Sequence, residues 1–78
     1  MNRQQFKQLL KDTFLEVTFE YNGKRTLVSP IGSGRYSFSY NDEYNRDDMD
    51  FDELISMPIY DGKTILDISD DITDIQEI

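Results

Sequence analysis

The chain has 78 residues, a formal net charge of −8, and no Cys, His, Trp or Ala. One small α+β domain over 1–78 is expected, and a chain of this length buries only about 60% of the surface its unfolded form exposes, which leaves little room for a deep cleft. The missing Cys excludes disulfides, thiolate nucleophiles and Cys-based metal centres, and the missing His removes the usual base of a serine triad and the side chain that titrates near neutrality.

The opening stretch predicts a helix. Phe6, Leu9, Leu10 and Phe14 fall at i, i+3, i+4 and i+8, which gathers them on one face. Asn2 followed by Gln5 has the spacing of a capping pair. The same stretch has no apolar run long enough for a signal peptide or membrane span, so a cytoplasmic protein without membrane association is expected.

A strand pattern follows, with Leu15, Val17, Phe19 and Tyr21 alternating with Glu16, Thr18 and Glu20. Asn22-Gly23 then supplies the two positions of positive φ that a tight hairpin turn needs. A two-residue loop sets Tyr21 opposite Lys24, Glu20 opposite Arg25, Phe19 opposite Thr26 and Val17 opposite Val28. Glu20 and Arg25 become a cross-strand ion pair on the wet face. Pro30 ends the second strand because it has no N–H to give the ladder. Gly32-Ser33-Gly34 turns the chain into a third strand, where Tyr36, Phe38 and Tyr40 alternate with Arg35, Ser37 and Ser39.

Residues 41–48 read as a polar loop. Asp50 with Glu53 three residues later forms a second capping-box pattern, followed by the short apolar stripe Phe51, Leu54, Ile55 and by Pro58, which closes the helix. Asp61-Gly62 marks another turn. In the last segment Ile65, Ile68, Ile72 and Ile75 have helical spacing, with Thr64 as a cap. A helix over 64–76, fraying at 76–78, would place Asp67, Asp70, Asp71 and Asp74 on one adjacent stripe. The resulting order is α-β-β-β-α-α, a three-stranded antiparallel meander with helices packed on one face.

Three motifs invite a chemical reading. Gly32-Ser33-Gly34-Arg35 has glycines that let backbone amides approach an anion, but it lies between two strands and lacks the Lys and the helix of a phosphate loop, so it reads as a hairpin turn. Asp48, Asp50 and Asp52 have the 1-3-5 spacing of a calcium loop, and that frame then meets Glu53 and Ile59 where Gly and Glu belong. They stand as an alternative carboxylate site for a divalent cation. The rings of Tyr21, Tyr36, Tyr40, Tyr44 and Tyr60 could stack bases on a sheet, but alternation assigns most of them to the core, and no direct nucleic-acid binding is expected.

Charge divides the chain unevenly. Residues 1–40 carry six basic and three acidic groups, whereas residues 41–78 carry two basic and thirteen acidic ones. Such asymmetry speaks to partners more than to fold. The expected function is a non-catalytic interaction or regulatory module without a cofactor, presenting Asp67, Asp70, Asp71 and Asp74 to a protein with a basic surface. An inhibitor of phage or mobile-element type that imitates nucleic-acid charge is the alternative. Phe, Tyr, Ile, Asn and Lys together outnumber Gly, Ala, Arg and Pro, a bias of AT-rich coding that points to a bacterium or its phage. A monomer is expected, or a weak dimer formed through an open sheet edge.

Overall fold

The computed structural model describes residues 1–78 and shows an α+β domain built on a five-stranded antiparallel sheet with two helices. Helix α1 (Arg3–Asp12) begins at Asn2, whose side chain accepts from the Gln5 amide while the Gln5 side chain accepts from the Asn2 amide. This closes the reciprocal cap expected of the pair. Phe6 and Leu10 are fully buried and Leu9 partly so. The helix stops at Asp12, and Phe14 lies outside it, 96% exposed.

Strands β1 (Val17–Tyr21) and β2 (Lys24–Gly32) pair in the register that the Asn22-Gly23 turn dictates, from Tyr21 opposite Lys24 to Val17 opposite Val28. Asn22 and Gly23 take φ of 53° and 75°, the left-handed conformation that a two-residue turn requires. Strand β3 (Arg35–Tyr40) continues the meander and buries Tyr36, Phe38 and Tyr40. Helix α2 (Phe51–Ser56) starts at Asp50 with the reciprocal Asp50–Glu53 cap and ends before Pro58.

Pro30 does not end β2, which runs through it to Gly32 with Pro30 opposite Tyr36 beside a register shift, and two further segments differ from expectation. Residues Tyr44–Asp50 are a strand, β4, paired with β3, and not a loop. Tyr44 stands opposite Tyr40, Arg46 opposite Phe38, and Met49 opposite Tyr36. Three residues of β4 thus span two of β3, so a bulge at Asp47–Asp48 shifts the alternation by one. Tyr44 packs on the core and Met49 is buried, yet an odd spacing separates them, and a period-two pattern does not register.

The helix expected over 64–76 does not form. Residues 64–71 make successive turns, with the Asp67 amide donating to the Thr64 carbonyl, Ser69 to Leu66 and Asp71 to Ile68, and Thr73–Glu77 is a fifth strand, β5. The strand order is β4-β3-β2-β1-β5. The turns bury Ile65, Ile68 and Ile72, three of the four groups a helix would have aligned, together with Leu66, and Ile75 is half-buried on β5. A continuous helix would have stacked four carboxylates on one stripe, each like-charge pair costing roughly 0.2–0.5 kcal/mol, in a segment of Ile, Thr and Asp that are mediocre helix formers. The extended end instead supplies backbone partners to β1.

The core lies on one face of the sheet. Val17, Phe19, Val28, Tyr36, Phe38, Tyr40 and Met49 meet Phe6 and Leu10 of α1, Leu54 of α2, and Tyr60, Ile65 and Ile68 of the connecting segment. The rings of Phe6 and Phe19 pack edge to face at 5.4 Å between centroids, and Tyr21 and Tyr60 do so at 5.6 Å. The opposite face carries Thr18, Leu27, Ser29, Ser37, Ser39 and Asn45, of which only Thr18 is buried, with no aromatic ring among them.

Candidate functional site

The carboxylates concentrated in residues 41–78 have two fates. Some fold back on the basic first half: Arg3 pairs with Asp67 at 2.7 Å, Lys24 with Glu43 at 2.8 Å, Arg25 with Asp74 at 2.9 Å and Arg35 with Asp48 at 2.7 Å. Arg46 joins Glu53 at 3.0 Å, and Arg25 also reaches Glu20 at 3.5 Å. Every arginine is engaged. Six of the sixteen carboxylates therefore have a cation at hand and ten have none, whereas Lys7, Lys11 and Lys63 are the only unpaired basic side chains.

The expected stripe of Asp67, Asp70, Asp71 and Asp74 is absent, because the helix that would align them is absent. Asp67 is a structural group. It accepts from the Thr64 amide at 2.9 Å while its own amide donates to the Thr64 hydroxyl, and Arg3 holds its other oxygen. The Thr64 backbone bond and then the Arg3 bond bring its pKa down from 3.8 to about 2. Asp74 sits at φ 52° in a bulge of β5, where the Gln76 amide side chain and the Arg25 guanidinium hold its pKa below the usual carboxylate value. Asp70 and Asp71 remain exposed and unpaired on the turn leading into β5.

That turn runs to one end of the sheet. Thr73 stands opposite Glu20, near the β1–β2 tip. The β3–β4 turn reaches the same end, because the Asn41 amide donates to the Arg25 carbonyl at 2.7 Å and Glu43 grips Lys24. The Asp61-Gly62 turn joins them: Tyr60 packs against Tyr40 at 4.6 Å between centroids, and Asp61 adds to the negative field acting on Lys24. The Lys24 pKa is raised, first through its bond to Glu43. Asp42, Asp61, Asp70 and Asp71 thus crown one end of the domain without an ion-pair partner. This rim is the candidate site. Sequence reasoning found two of its members, Asp70 and Asp71; Asp42 and Asp61 come to it only through the pairing of β3 with β4 and the packing of Tyr60.

The Asp48, Asp50 and Asp52 set is not gathered. Asp48 is bound to Arg35, Asp50 caps α2 by accepting from the Glu53 amide at 2.8 Å, and Asp52 points outward on the helix. No group of three acidic side chains is placed to hold a metal ion. The Gly32–Arg35 segment is a hairpin turn, as its composition suggests. Of the rings that might have stacked bases, Tyr36, Tyr40 and Tyr60 are buried and Tyr21 and Tyr44 are half-buried against the core, and no helix is long and apolar enough to cross a membrane. Comparison with protein-family models, curated proteins and solved structures finds no match to this chain.

Proposed function

We propose that the chain is a non-catalytic protein-interaction module that presents its acidic turn end to a basic surface of a protein partner. The observation that carries this reading is the imbalance after folding: the internal ion pairs consume every arginine, and Asp42, Asp61, Asp70 and Asp71 stay exposed at one end. Uncompensated charge of one sign steers a partner of the other sign and sets register, and its effect fades as salt shortens the screening length to about 8 Å at physiological strength. The same field opposes direct contact with phosphates.

The test compares the wild-type chain with an Asp42→Asn, Asp61→Asn, Asp70→Asn, Asp71→Asn variant, both shown by circular dichroism to be folded. Each is immobilised and offered the soluble proteins of the native cell at low and moderate salt. A basic protein retained by the wild type at low salt, released at moderate salt, and not retained by the variant is the expected result. Equal retention by both chains, or retention of no basic protein at all, overturns the proposal. Release by competing DNA would favour charge mimicry of a nucleic acid over an ordinary protein site.

A further inference from the structure

The free edge of β5 borders a groove that is distinct from the acidic end. Met1 and, from helix α1, Gln5, Gln8, Leu9 and Asp12 lie along one side of an open surface groove of about 680 Å³, and Glu77 of β5 lies on the other. Gln5, Gln8, Leu9 and Asp12 follow the helical repeat and run for about 10 Å at ~1.5 Å per residue. The groove's apolar surface comes from Leu9, which is half-buried, and Met1, which is exposed.

Backbone geometry adds a second feature. The Ile78 amide donates to the Glu16 carbonyl at 2.8 Å, and Thr18 stands opposite Gln76. In an antiparallel pair the inward-facing backbone groups alternate, so Ile78 and Gln76 turn theirs toward β1, and Glu77 and Ile75 turn theirs outward. The outward groups belong to the last strand of the sheet and have no strand beside them. The Glu77 side chain, opposite buried Val17, faces the helix side. A strand added to this edge would therefore hydrogen-bond to Ile75 and Glu77 and send alternate side chains up against Leu9 and Met1.

We infer that this groove binds an extended peptide segment of a partner protein by strand addition to β5, with alternating apolar and basic side chains. Charge selects the occupant. Asp12 and Glu77 line the groove without an ion-pair partner, Asp12 meeting only the Gln8 amide, and no basic side chain lines it, the Met1 α-amino group being its one cation. Apolar side chains cover Leu9 and Met1, and Lys or Arg at intervening or terminal positions meets the two carboxylates. Main-chain bonds supply affinity and the alternate side chains supply selectivity in this mode of recognition. The site stands apart from the acidic turn end, and neither requires the other.

The experiment selects a display library of random peptides against the full chain, then titrates the recovered peptides into the labelled protein. Recovered sequences should alternate apolar residues with Lys or Arg. Amide shifts and slowed hydrogen exchange should appear at Ile75 and Glu77, with shifts along Gln5, Leu9 and Asp12. Leu9→Glu should weaken binding about tenfold or more, as loss of a central apolar anchor does. An Asp12→Asn, Glu77→Gln variant should bind more weakly and with less salt dependence, and a peptide N-methylated at alternate residues should not bind. Failure to recover any binder, or binders that shift only Asp42, Asp61, Asp70 and Asp71, overturns the inference and leaves the acidic end untouched. Concentration-dependent protection of Ile75 and Glu77 without peptide would assign the edge to a second copy of the chain and overturn it equally.

Discussion

Buried Thr26 and Tyr60 share one hydrogen bond at 2.8 Å between their hydroxyls, and no buried side-chain polar atom in the molecule lacks a partner. Burial pushes the Tyr60 hydroxyl pKa well above its ordinary value, so this group stays a neutral donor or acceptor throughout the working range. Tyr60→Phe should cost about 1–3 kcal/mol, the usual penalty for orphaning a buried hydroxyl, and pairing it with Thr26→Val should cost less than the two single changes combined. Urea denaturation of the four proteins checks the cycle. Asp67 makes a pH prediction. Its pKa is lowered from 3.8 to about 2 on folding, so its contribution is fully present above pH 3.8 and is lost as pH falls through about 2. Asp67→Asn should lower the melting temperature at pH 7, and the gap to wild type should close between about pH 4 and pH 2. A gap that is constant across that range would show that the carboxylate charge contributes nothing. Capping residues such as Asn2 and Asp50 are legible from sequence because each acts on a backbone amide three residues away. The partners of Asp67 and Asp74 are not, because Arg3 and Arg25 are 64 and 49 positions distant.

At the level of elements, β5 is the least secured strand. Its residues are mostly exposed, and it is joined to the rest through β1, the half-buried side chain of Ile75 and the Arg25 guanidinium. That guanidinium donates to the Thr18 hydroxyl, the Asp74 carboxylate and the Asp74 carbonyl, each at 2.9 Å. The planar fork makes all three bonds at once, which an ammonium on a flexible stem does not reproduce. Arg25→Lys should therefore speed hydrogen exchange at Gln76 and Ile78 about fivefold, equivalent to roughly 1 kcal/mol once solvent screening at this half-exposed site is allowed for. Amides of the β1–β4 ladder should be unchanged. The elements that local signals define are α1, the β1–β2 hairpin, β3 and α2, where caps, turn residues and apolar period agree. Strand β4 lacks that agreement because its bulge puts Tyr44 and Met49 out of phase. The β5 region misleads more directly, since Ile65, Ile68 and Ile72 are buried at helical spacing by turns that carry no helix.

Considered as a whole molecule, the domain neutralises part of its own charge. Four ion pairs join the basic first forty residues to the acidic remainder, and each is solvent-exposed and worth little singly. Their larger consequence is for the surface, because they remove cations that could have met phosphate and leave the turn end acidic. Composition alone determined the exclusions: without Cys or His, thiolate, imidazole and Cys-metal chemistry are closed to this chain whatever its fold. Local pattern determined the first hairpin and its register, because a two-residue turn permits one pairing. Tertiary structure alone decided the fate of residues 41–78. Whether a polar stretch becomes an edge strand, and whether an Ile-rich stretch becomes a helix or a strand, depends on which backbone groups of β3 and β1 are still unpaired when it arrives. Those are properties of the assembled sheet, and no window of neighbouring residues contains them.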